Sequence, residues 1–112
     1  MSQRMRQYLP LLKRITRMSD RVRRRYLKNC DKAIMDCFSE CAVNVLKGHV
    51  PLSNRQFTRL KREKTHVRAL ASKRTSLRKK RSIVQKGFIQ ALLMPAIATL
   101  GSALLSRMIC NN

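Results

Sequence analysis

The chain has 112 residues and a formal net charge of +21, from 26 Lys/Arg against five Asp/Glu. That length suits one small domain, and such a charge repels itself unless a polyanion neutralises it. Five acids are too few for paired-carboxylate chemistry, and no Gly-rich phosphate loop or Ser/His/Asp arrangement is visible, so neither an enzyme nor a cofactor is expected. The charge is uneven: +9 over residues 1–28, −1 over 29–52, +12 over 53–86 and +1 over 87–112. Nucleic acid is the first polyanion to expect and an anionic membrane surface the second. The aromatics Tyr8, Tyr26, Phe38, Phe57 and Phe88 are too scattered for a base-stacking platform, which favours phosphate contacts over base readout.

In chain order, residues 3–18 read as a basic amphipathic helix. Met5, Tyr8, Leu9, Leu12, Ile15 and Met18 recur at spacings of three and four. Pro10 predicts that this helix either ends a turn there or starts near Leu9. A second basic piece runs from Asp20 to Lys28, with Ser19 or Asp20 as N-cap. Residues 31–47 carry the clearest helical pattern, with Ala33, Ile34, Cys37, Phe38, Cys41, Ala42, Val45 and Leu46 on one face. Asn29 or Asp31 can cap its start, and Gly48 stands where a left-handed C-terminal cap belongs. This nearly neutral stretch is the expected core.

His49 to Leu52 form a turn, and Ser53-Asn54-Arg55-Gln56 fits a capping box. The following helix should run to about Ala71, with Phe57, Leu60, Val67, Leu70 and Ala71 inward and Lys64 interrupting the stripe. Ser72 or Ser76 restarts a helix through Leu77, Ile83 and Val84 to Lys86. The expected fold is therefore all-α: a small helical domain with a central helix-turn-helix hairpin (31–71), a basic N-terminal helix and an apolar C-terminal helical tail. Its parts are a basic arm (1–28), a hairpin with basic helices (29–86) and the tail (87–112).

The tail begins abruptly. From Gly87 to Ser106 no residue is charged, a length close to that of a bilayer span. Pro95, Gly101 and several polar residues weigh against a stable span. An interfacial or lytic segment is a second reading, and a helix docked on the rest of the domain or on another subunit is a third. Cys30, Cys37 and Cys41 share one helical face without a C-x-x-C, so they read as reduced, buried thiols rather than a metal site. Basic residues interrupt every apolar run near the start, so no secretory signal is expected.

The segment 41–105 carries a run of matches to a small basic protein of Polinton/Maverick and adintovirus-like elements. Cys41 to Leu46, Gly48, Val50 to Leu52, Arg68 to Ala71, Ser76, Leu77, Gln85 to Gly87, Pro95 and Leu100 to Ser102 fit that family's pattern. A basic block followed by an apolar Gly/Pro-containing tail also resembles the adenovirus minor core protein X (mu) precursor. The resemblance implies a virion component that condenses DNA, with a tail that is trimmed by a protease or that engages capsid or membrane. The family pattern has two glycines before Phe88, whereas this chain has Lys86-Gly87.

Together these readings predict non-sequence-specific DNA binding by Arg21, Arg23, Arg24, Arg25, Arg55, Arg59, Lys61, Arg62, Arg68, Lys73, Arg74, Arg78, Lys79, Lys80 and Arg81. Membrane or capsid contact is assigned to Phe88, Ile89, Leu92, Leu93, Ile97, Leu100, Leu104 and Leu105. The expected location is a virion or host nucleus, or otherwise intracellular. A membrane-active cationic protein and a cellular RNA-binding protein are the alternative readings.

Overall fold

The computed structural model describes residues 3–86 and 89–99, and every regular element among them is a helix. The elements are α1 (Gln3–Arg17), α2 (Asp20–Lys28), α3 (Lys32–Leu46), α4 (Asn54–Ala71), α5 (Leu77–Val84) and α6 (89–99). The all-α expectation holds.

Local signals set most of the boundaries. Ser19, Asp31, Ser53 and Ser76 each cap a helix, their side chains accepting from Val22 N, Ile34 N, Gln56 N and Lys79 N. Ser53 and Gln56 complete the capping box, because Gln56 Oε1 also accepts from Ser53 N at 2.9 Å. Gly48 takes φ +75, the left-handed conformation that ends α3.

α3 is the centre. Ile34, Met35, Cys37, Phe38, Cys41, Ala42 and Val45 are all buried, a face of roughly 160° at about 100° per residue. α1, α4 and α5 each pack on it. Met35 lies just outside the expected stripe, about 20° beyond Ala42 at about 100° per residue, so its burial widens the same face.

Two expectations need correction. α1 runs straight through Pro10. An internal proline costs a helix about 3 kcal/mol, but Met5 and Leu9 before it and Leu12 and Ile15 after it are all buried on one face. Burial of such side chains yields roughly 1.5–3 kcal/mol each, which outweighs the break. Phe57, expected inward, is 49% exposed. At about 100° per residue, it stands about 60° to one side of Leu60, which is itself only just buried at 9% exposure. Phe57 thus falls at the edge of the buried face. α4 also has a non-helical residue at Glu63 (φ −106, ψ 17), a kink between Leu60 and Val67.

The start of the apolar tail belongs to the core. Ile89, Leu92, Leu93, Ala96 and Ile97 are at most 2% exposed and join the same hydrophobic cluster as α1, α3, α4 and α5. Gln90 fastens α6 to α5 by donating from Nε2 to Val84 O at 3.0 Å. That carbonyl is among the last of α5, which has no helical partner of its own. Leu93→Ala should therefore cost about 2–5 kcal/mol, read as a lower urea midpoint. A dangling tail would leave the midpoint unchanged.

Candidate nucleic-acid interface

The basic residues divide into those that hold the fold and those that face water. Arg23 is 8% exposed and clamps the corner between α1 and α2. Its Nε donates to Ile15 O at 3.1 Å, and Nη2 donates to Thr16 O at 3.0 Å and Met18 O at 2.6 Å. Nη1 pairs with Asp20 at 3.0 Å. A guanidinium is suited to this task, because its planar fork presents several donors to the carbonyls at the end of α1, of which Ile15 O also accepts from Met18 N at 3.2 Å. Lys80 is also 8% exposed; its amine donates to Ser39 Oγ on α3 at 2.9 Å. Burial lowers the Lys80 pKa below the ordinary lysine value, against the opposing pull of Asp36. Arg81 is half-buried, with Nε donating to Cys30 O at 2.9 Å.

These three bases, expected on phosphates, are instead joints of the fold. The run Arg78-Lys79-Lys80-Arg81 is split by helical geometry: the first two face water and the last two face protein. Lys80 stands three and four residues from Ile83 and Val84 and three from Leu77, so it shares their face. That spacing is the signal the charge run concealed. Arg23 likewise precedes Leu27 by four.

The other twelve predicted contacts are all exposed: Arg21, Arg24, Arg25, Arg55, Arg59, Lys61, Arg62, Arg68, Lys73, Arg74, Arg78 and Lys79. Among the described residues, the ion pairs are Arg4–Asp36, Arg23–Asp20, Lys32–Asp36 and His66–Glu63, so none of the twelve is neutralised by a carboxylate. The structure gathers Arg21, Arg24 and Arg25, with Lys28, around a surface groove of about 580 Å³ closed by Asp20 and Gln85. Lys28 completes the row four residues after Arg24. Arg55, Arg59, Lys61 and Arg62 follow the N-terminal half of α4, where exposed Lys64 extends them. A cavity of about 560 Å³ between α3 and α5 has mixed lining, with Asp36 and Glu40 beside Arg4, Lys32, Lys73 and Lys80.

The predicted membrane or capsid contacts fare differently. Ile89, Leu92, Leu93 and Ile97 are buried in the core, so in this conformation they offer no outer surface. A one-sided apolar helix beside a small core is covered most economically by that core. Phe88, Leu100, Leu104 and Leu105 lie outside the described residues. Among the described residues, no helix is long and apolar enough to cross a membrane.

Cys30, Cys37 and Cys41 are free and buried. Burial pushes Cys37 up to about 11 and Cys41 up to about 12, and also raises Cys30. Thiols so held are almost wholly protonated at neutral pH and are poor nucleophiles. Cys110 lies outside the described residues. No family model matches the sequence, and no curated protein or solved structure is significantly similar to it.

Two outcomes follow from this division. Arg23→Ala should destabilise the fold by about 1–3 kcal/mol, since it removes the Arg23 donors from the part-buried carbonyls of Thr16 and Met18, whereas Arg24→Ala should stay within about 0.5 kcal/mol; urea titration reads both. In a Cys110→Ser variant, Ellman's reagent at pH 8 should find no fast-reacting thiol in the native protein and three after unfolding in guanidinium.

Proposed function

We propose that this chain is a non-enzymatic protein that binds and condenses double-stranded DNA through its phosphates, without sequence preference. One observation carries this reading: twelve exposed Arg and Lys side chains, on α2, α4, α5 and the α4–α5 turn of a folded domain, that pair with no carboxylate among the described residues. A folded scaffold fixes these charges in space, and fixed cations exchange for the counterions that crowd a duplex.

The early residues of α4 do not argue for base readout. The side chain of Gln56 is occupied by the capping box, accepting from Ser53 N. The arginines of α2 and α4 lie in rows along their helices, which suits a phosphate track. The likeness to the small basic protein of Polinton/Maverick and adintovirus-like elements points the same way, toward a core protein of a virus-derived particle. Membrane contact through Ile89, Leu92, Leu93 and Ile97 requires them to leave the core, which opens the cluster that holds the fold.

Gel-shift titrations on unrelated duplexes test the proposal. Affinities should agree within about threefold between sequences. If six to ten bases meet phosphates, affinity should fall roughly 10³–10⁵-fold between about 50 and 200 mM salt. Replacing Arg21, Arg24 and Arg25 by Ala should lower the salt slope by about three. A preference for one sequence, or binding indifferent to salt, would defeat the reading.

A further inference from the structure

Among the described residues, Phe57 and Val22 are the large apolar side chains that the core leaves exposed, and Phe57 is the aromatic one. It sits in the first turn of α4, 49% exposed, in a helix whose neighbouring surface residues are Arg55, Arg59, Lys61 and Arg62. The amine of Lys61 stands 4.8 Å from the centre of its ring, a cation–π contact that covers one face. The ring also forms part of a groove of about 340 Å³, walled by Leu46, Val50, Leu52 and Leu60. Among the described residues, Lys64 is the one charged residue lining that groove, and no carboxylate does. Gly48, at its lip, has nothing within 4 Å of where a Cβ would stand, so the turn leaves the groove open.

An aromatic wall, an apolar floor and a purely cationic rim define the occupant. It must be flat or apolar where it meets the ring and anionic where it meets Lys61 and Lys64. Nucleotides with unpaired bases meet both conditions, since every base has a π-face and carries a phosphate. A closed duplex meets only the second, because its base faces are hidden in the stack. An apolar protein segment meets the first, but supplies no negative charge of its own.

We propose that the groove beside Phe57 takes an unpaired base of a single strand, stacked on the ring, with its phosphate held by Lys61 and Lys64. This rests on the phosphate-binding reading above and adds a second mode to it. Paired DNA is held by the cationic rows alone, whereas an opened strand gains a stacking contact. The scattered aromatics of the sequence concealed this, because one ring beside a groove needs no second ring nearby.

The test uses the full chain and a short oligonucleotide with 2-aminopurine at its centre, single-stranded or paired with its complement. Binding is read by gel shift at one salt concentration and by fluorescence quenching. Phe57→Ala should lose roughly 5- to 150-fold in single-strand affinity, together with the quenching. Phe57→Trp should keep both. Phe57→Leu retains apolar bulk without the π-face, and should lose affinity as Ala does. Duplex affinity should stay within about twofold in all three. The inference is overturned if the Ala variant binds single strands as the parent does, if Leu restores full affinity, or if single strand and duplex weaken by the same factor. Failure of the parent protein to bind duplex at all would overturn the underlying reading instead, and is visible without any variant.

Discussion

Everything in this molecule hangs on the burial of α3. A chain of charge +21 cannot collapse around its basic segments, because bringing bare cations together in low dielectric is expensive. Residues 29–52 are the exception, at −1. They supply a helix rich in apolar side chains, against which the apolar faces of α1, α4 and α5 close. Each basic helix turns one narrow stripe inward and sends the rest of its charge to solvent. The apolar start of the tail, α6, joins the same cluster. A domain this small buries a limited fraction of its surface, so five further buried side chains matter.

Charge then has two separate roles. Arg23, Lys80 and Arg81 act as polar rivets, each joining one element to backbone or hydroxyl oxygens of another. The twelve exposed bases pair with no carboxylate among the described residues and repel one another across the surface. Burial shields the rivets from salt, while the exposed set feels it fully. Added salt should thus loosen a bound polyanion and at the same time ease the self-repulsion of the protein that held it.

Much of the fold was legible because its signals are local. Ser19, Asp31, Ser53 with Gln56, and Ser76 are capping residues next to periodic runs, and the structure uses each as a cap. The spacing of Ile89, Leu92, Leu93, Ala96 and Ile97 marks a one-sided helix, but nothing in that spacing says which surface will cover it. The inward turn of Arg23 depends on the carbonyls that the end of α1 brings near, which only the tertiary arrangement supplies. Lys80 was closer to legible, since it shares a face with Ile83 and Val84. Phe57 was misplaced because an apolar residue at the edge of a stripe has the same spacing as one at its centre until the partner helix is fixed.

The position of α6 bears on any cleavage at the seam between the basic and apolar blocks. Because Ile89, Leu92, Leu93 and Ile97 fill the core, a cut peptide bond just before them would not detach an appendage. It would turn a contact within one chain into a contact between two molecules, and the high effective concentration that keeps α6 seated would be lost. At low concentration the helix would depart and leave an apolar trough in the remaining domain. At high concentration the two pieces would stay together. Trimming would then be silent under crowding and consequential only upon dilution.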